Sequence, residues 1–189
     1  MHVRWLAAIL TATLAFTGCA QSKTTTVTTT ASTAMPAAAQ SNPPGDIPDT
    51  QLFVPFKSTG AYAVLAPEGW SRSVSGSNVT FVWNYDGERV VETSGALNGA
   101  AVLGAIRTAF GGVKDAKTKV VTLPGGPATL VTYTSESAPD AVTGKRVRLE
   151  NNSYVFRKNG KSARLDLWAP QGSDNVDQWN KISRSFAWK

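Results

Sequence analysis

The chain opens on a predominantly apolar run, Trp5 to Phe16. Its length of about a dozen residues suits the core of an export signal and falls short of the roughly 20 that span a bilayer. No periodicity follows between Ala20 and Gly45, where Thr, Ala, Ser, Gln and Pro recur, as in Thr24 to Thr30 and Ala37 to Ala39. Such a segment buries too little apolar surface to offset its ordering entropy, which predicts a flexible stalk. From about Ile47 the pattern changes to short apolar stretches separated by turn residues, and a folded domain is expected from there to Lys189.

Within that domain two periods alternate. Gln51 to Phe56 is an extended lead-in, because Pro55 does not fit a helix interior. Tyr62 to Ala66 reads as a strand closed by Pro67-Glu68-Gly69-Trp70. Asn78 to Tyr85 reads as a second, with Val79, Phe81, Trp83 and Tyr85 on one face. Asp86-Gly87 is a hairpin-turn signal leading into Glu88 to Thr93. Asn98 to Phe110 then takes helical spacing through Val102, Leu103, Ile106 and Phe110, with Asn98 as a cap and Gly111-Gly112 as a stop.

Lys119 to Leu123 and Ala128 to Ser135 predict another hairpin, across Gly125-Gly126. After a loop from Ser137 to Gly144, Lys145 to Leu149 is expected to be a separate short strand. Ser153 to Lys158 and Lys161 to Trp168 pair across Asn159-Gly160, which sets Tyr154 and Phe156 against Leu165 and Ala163. A last helix spans Asp174 to Phe186, with Val176, Trp179, Ile182 and Phe186 as its apolar stripe. The sum is an α+β domain: an antiparallel sheet of about six or seven strands flanked by two helices.

Composition limits the chemistry. Among 189 residues there is one Cys and one His. The histidine is His2, inside the expected signal, so the mature chain has none. That removes Ser-His-Asp triads, Cys-His pairs and zinc sites built on His or Cys, and a lone cysteine forms no internal disulfide. Neither a catalytic residue, a metal ligand nor a cofactor is indicated. Lys and Arg number 19 against 13 Asp and Glu, a formal charge of +6. A basic surface close to a membrane favours anionic lipid or anionic wall polymer over nucleic acid.

Thr17-Gly18-Cys19 resembles the bacterial lipobox, with Phe16 where that motif usually has an aliphatic residue. The resemblance implies cleavage between Gly18 and Cys19, acylation of Cys19 by palmitate-type chains, and a lipid anchor on the extracytoplasmic face of the cell membrane. The expected organisation is therefore a signal peptide over 1–18, a lipidated stalk over 19–46 and a single domain over 47–189. Tyr62-x-Val64-x-x-Pro67-x-Gly69-Trp70 and Trp179-x-x-Ile182-x-x-Ser185-Phe186 resemble the opening and closing motifs of PsbP-like domains, shared by envelope lipoproteins of the LpqN type. That resemblance implies an α/β/α sandwich and a non-catalytic binding or assembly role. Fold alone does not transfer function.

Two constellations are candidates for contact. Lys145, Arg146, Arg148, Arg157, Lys158, Lys161 and Arg164 form the densest charge feature, opposed mainly by Glu150 and Asp166. Arg146, Arg148, Arg157, Lys158, Lys161 and Arg164 either bind an anionic group or form a solvated sheet edge that discourages edge-to-edge pairing. Trp83 and Trp168 either stack on a sugar ring or pack in the core, whereas Trp70 and Trp179 read as packing residues. Carboxylates such as Glu88 and Glu92 show strand spacing and no reason for a shifted pKa. The expected role is a lipid-anchored envelope protein contacting a protein, an anionic lipid or a wall glycan; the alternative is a histidine-independent hydrolase acting on wall glycan or lipid.

Overall fold

The computed structural model of the chain describes residues 45–189. The expected signal peptide over 1–18, the expected cleavage site at Gly18 and Cys19, and the expected stalk as far as residue 44 lie outside the described residues. The elements run β1 (Phe53–Lys57), β2 (Tyr62–Pro67), β3 (Ser71–Ser75), β4 (Asn78–Trp83), β5 (Asp86–Ser94), α1 (Gly99–Ala109), β6 (Gly111–Leu123) and β7 (Gly126–Glu136). They continue as β8 (Arg148–Lys158), β9 (Lys161–Pro170), α2 (Val176–Ser185) and β10 (Ala187–Trp188). All strand pairs are antiparallel, in a seven-stranded sheet of order β3-β4-β5-β9-β8-β7-β6 and a three-stranded sheet of order β1-β2-β10. The fold is mixed and mostly sheet.

Strand parity decides the layering. Along β7, Ala128 and Leu130 join one apolar cluster while Val131 and Tyr133 join another; along β8, Tyr154 and Phe156 part from Val155 in the same way. Successive side chains point to opposite faces, so the seven-stranded sheet has apolar material on both sides. The larger cluster packs it against α2 and the small sheet through Trp179, Ile182, Phe186, Tyr62 and Val64. The smaller one packs it against α1 through Val102 and Ile106. Asn98 caps α1 as expected, its Oδ1 accepting from the Ala101 amide at 2.8 Å.

The two stretches that resemble PsbP-like motifs meet in space. The rings of Tyr62 and Phe186 stack with centroids 5.9 Å apart, and the Leu65 amide donates to Ser185 Oγ at 2.8 Å. β10 then extends the contact by pairing Trp188 with Tyr62. Asn175, just before α2, draws in the start of the described chain: its Oδ1 accepts from the Ile47 amide at 2.7 Å, and its Nδ2 donates to the Gly45 carbonyl at 2.8 Å.

The hairpin across Asn159-Gly160 has the predicted register, Tyr154 opposite Leu165 and Phe156 opposite Ala163. Both turn residues have positive φ, 50° and 73°, as a type I′ turn requires. Other expectations need correction. The β4–β5 turn is Asn84-Tyr85, with Asn84 at φ 51°, and Asp86-Gly87 lies inside β5. Asn tolerates the left-handed conformation, and this placement carries Asp86 into the buried interior. The β6–β7 turn is Pro124-Gly125 rather than Gly125-Gly126, since Leu123 pairs with Gly126. Lys145 to Leu149 is no separate strand: β8 runs unbroken from Arg148, its polar Asn151 and Asn152 held by pairing with Tyr133 and Thr132. Val176 is 63 % exposed and stands off the stripe of α2, whose buried side is completed by Gln178 and Ser183. Edge strand β3 is exposed throughout and carries no apolar alternation to announce it. Among the described residues no helix is long and apolar enough to cross a membrane.

Candidate functional site

On the α1 side of the large sheet, register brings Arg89 of β5, Asp166 of β9 and Ser153 of β8 directly opposite one another. Polar residues at these three positions give the face a hydrogen-bonded row in place of apolar packing. Arg89 donates from Nε and Nη2 to Asp166 Oδ2 at 3.1 and 2.8 Å. Arg164, two residues along the strand, donates from Nε to both oxygens of the same carboxylate at 2.8 and 3.0 Å. Ser153 Oγ donates to Asp166 Oδ1 at 2.6 Å and lies 3.2 Å from the Tyr133 hydroxyl. Asp166 is fully buried, and both of its oxygens are satisfied by these donors. Burial, chiefly, and then the Asp166 carboxylate push the Tyr133 hydroxyl above its ordinary range, so it stays protonated.

Arg89 leads from this row to an open cavity. Its guanidinium lies 4.7 Å from the ring centre of Phe110, at the end of α1, and 5.8 Å from that of Trp168. Phe110 and Trp168 meet edge to face at 5.6 Å. The cavity beyond has a volume of about 990 Å³ and reaches Tyr85 on the β4–β5 turn, Leu149 on β8 and Arg146 in the loop after β7. Arg146 donates from Nη1 to the Ser137 carbonyl at 2.7 Å, which ties the two ends of that loop together. The wall also carries Glu136 and Asp140. Asp140 serves its own turn: it accepts from the Thr143 amide and hydroxyl and from the Val142 amide, and these donors hold its carboxyl below the usual carboxylate range.

Only part of the predicted basic set gathers here. Arg146 lines the cavity, and Arg148 is exposed at the adjacent end of β8. Arg157 and Lys158 stand at the other end, some 30 Å away by the usual rise of about 3.3 Å per residue. Arg157 donates from Nε to the Leu97 carbonyl at 2.8 Å and so clamps the entry to α1. Lys161 pairs with Glu92 at 3.2 Å. Arg164 is only 5 % exposed and committed to Asp166, so it is no surface cation. A contiguous basic surface through all six is therefore absent, because they are spread over the loop before β8, both ends of β8, and β9.

The two candidate stacking residues part company as well. Trp168 lines the cavity, while Trp83 stands 43 % exposed at the end of β4 and is not among the lining residues. Arg89 was not evident from the sequence as a site residue. The signal that places it is Gly87 across from Trp168, visible only once the turn is set at Asn84-Tyr85.

The opposite face of β5 holds two buried acids. Glu88 is fully buried with neither carboxylate oxygen hydrogen-bonded among the described residues, and desolvation raises its pKa well above the ordinary value. Asp86 accepts from Asn175 Nδ2 at 3.1 Å through one oxygen only, and burial pushes it up to about 7. The expectation of unshifted carboxylates fails here because Glu88 shares its face with Leu167, the residue opposite on β9. Glu92, by contrast, is held below its ordinary value, first by the Ala61 amide and further by Lys161. No group of three or more His, Cys, Asp or Glu stands together as a metal site among the described residues.

No family model and no curated protein matches the sequence. Solved structures do, among them a crystal structure from Bacteroides thetaiotaomicron VPI-5482 at 1.50 Å resolution. It is similar over 68 % of this chain and 45 % of that one, at 10 % identity and a TM-score of 0.44. The chain thus spans less than half the length of that protein.

Proposed function

We propose that the protein is a lipid-anchored, extracytoplasmic binding protein of the PsbP-like α/β/α type, which takes a ligand into the cavity beside α1 and does no chemistry on it. One observation carries this reading: Arg89, Phe110 and Trp168 converge on the wall of a cavity of about 990 Å³. Aromatic walls with a few placed polar groups are the usual composition of a small-ligand site, and the volume suits a ligand well above the size of a single ion.

The lipobox-like Thr17-Gly18-Cys19 and the low-complexity stretch after it support the envelope placement. Apolar clusters on both faces of one antiparallel sheet, and the contact of Tyr62 with Phe186 between the two motif stretches, support the sandwich. Binding without catalysis is favoured by the mature chain's lack of histidine and by Asp140, which is held low where a general acid is held high. Trp168 offers a ring face to a sugar or lipid moiety, and Arg146 a cation at the rim.

Native mass spectrometry of the full mature protein purified from its own envelope tests the proposal. A stoichiometric small molecule, lost in Trp168→Ala, is expected. A clean apo mass from gentle extraction contradicts it and points to protein–protein assembly.

A further inference from the structure

Asp166 receives two guanidinium groups, from Arg89 and Arg164, and answers both with one carboxylate. The buried row therefore carries one positive charge more than it neutralises locally. Arg164 and Asp166 are closed off from solvent, so the excess is expressed at Arg89, which is partly open to the cavity. Arg89 spends Nε and Nη2 on Asp166, and its Nη1 has no acceptor among the described residues. The other acids on the wall do not serve it. Asp140 is occupied by Thr143 and Val142, and Glu136 is in no ion pair among the described residues; its side-chain carbons lie against Gly112.

A guanidinium fixed by a buried carboxylate is a preorganised receptor, since its orientation is set before any ligand arrives. Phe110 stacks on one side of it, and Trp168 stands alongside. These rings cover part of the guanidinium, and their low polarity strengthens its attraction for an anion. Arg146 adds a second cation to the same cavity, from the loop between β7 and β8. Beyond the two arginines the wall turns apolar at Tyr85, Pro139 and Leu149, and the space far exceeds that of a phosphate group alone.

We propose that the cavity takes a phosphate monoester carried on an apolar body, with phosphate oxygens on the free Nη1 edge of Arg89 and on Arg146, and the body along Tyr85, Pro139 and Leu149. This rests on the reading of the cavity as a ligand site and assigns that ligand its chemistry. The same headgroup chemistry comes from a membrane lipid or from free phosphate.

The test is isothermal titration of the full mature protein in non-ionic detergent with three probes: dihexanoylphosphatidate, dihexanoylglycerol and inorganic phosphate. Saturable binding of the phosphatidate is expected, at least tenfold tighter than that of the dihexanoylglycerol. Arg89→Gln should weaken it at least tenfold and Arg146→Gln at least threefold, while Arg72→Gln on the exposed β3 leaves it unchanged. Arg146→Gln is at the exposed rim and keeps the test decisive if Arg89→Gln does not fold by near-ultraviolet circular dichroism. Inorganic phosphate binding as tightly as the phosphatidate, with the same arginine dependence, would overturn the apolar body and leave a site for the free anion. Equal affinity for the phosphatidate and the glycerol, no binding of any probe, or indifference to both arginine changes overturns the proposal. A phosphate-free molecule in native mass spectra would overturn this inference alone, whereas a clean apo mass would remove the binding reading beneath it.

Discussion

Gly87 and Trp168 face each other directly across β5 and β9, and a Cβ on Gly87 would stand 1.9 Å from Cζ2 of the indole. The glycine is what lets the indole of Trp168 lie over β5 on the wall of the cavity. Gly87→Ala must therefore displace the ring, and overpacking of this kind costs about 1–3 kcal/mol. Thermal melts should show a Tm lower by several degrees, with a changed near-ultraviolet spectrum and weakened ligand binding. Unchanged stability and spectrum would mean that the ring is not packed on Gly87.

Asp86 gives stability a pH dependence of definite sign. Its folded pKa is raised to about 7 from an ordinary value of 3.8, mainly by burial, with the Asn175 hydrogen bond acting the other way. The native state then holds a proton that the unfolded state has released, so this group's contribution is full below about pH 4 and is lost as pH rises to about 7. Asp86→Asn keeps an acceptor for Asn175 and should flatten the profile, with the largest gain in Tm over the parent at pH 8. A gain equal at pH 4 and pH 8 would contradict the assignment.

Glu88 offers a parallel test without a designed partner. Both its oxygens are buried and unbonded, a condition that costs roughly 1–3 kcal/mol for a polar group. Glu88→Met places a side chain of similar length beside Leu167 and removes that cost. Urea denaturation at pH 7 should show a higher midpoint with an unchanged slope. A lower midpoint would indicate a partner for the carboxylate that these contacts do not supply.

Arg157 acts locally. Its guanidinium holds the Leu97 carbonyl and reaches Thr129 Oγ1 at 3.3 Å, tying the entry of α1 to β7 and β8. Arg157→Ala should cost on the order of 1 kcal/mol, the usual net worth of such a bond at an exposed site. Amide exchange should quicken at Leu97 to Val102 and not along β8. Faster exchange over the whole sheet would show a global role instead.

Periodicity made the core of this domain legible. Strands with an apolar side, such as Tyr154 and Phe156 against Leu165 and Ala163, declare both their existence and their register. β3 has no apolar side, and β6 reaches back to Gly111 through residues that are mostly exposed, so neither extent follows from pattern. The cavity was harder still. Arg89 gains its meaning from Asp166 and Trp168, 77 and 79 positions further along the chain, and only sheet order brings them together. The basic set misled for the same reason: closeness in sequence put Arg157 and Arg146 in one group, while Arg146 lies in the loop that enters β8 and Arg157 at that strand's far end. Glu88 illustrates the limit of composition, since an acid on a strand reads as solvated until its face is known.

The most direct test of the binding site is hydrogen–deuterium exchange of the full protein with and without a lipid and glycan extract of its own envelope. Protection confined to Tyr85 to Arg89, the end of α1 at Phe110, and the segment from Glu136 to Leu149 is the expected result. Protection along the exposed edge at β3, or no change anywhere in the chain, would contradict the placement of the site beside α1.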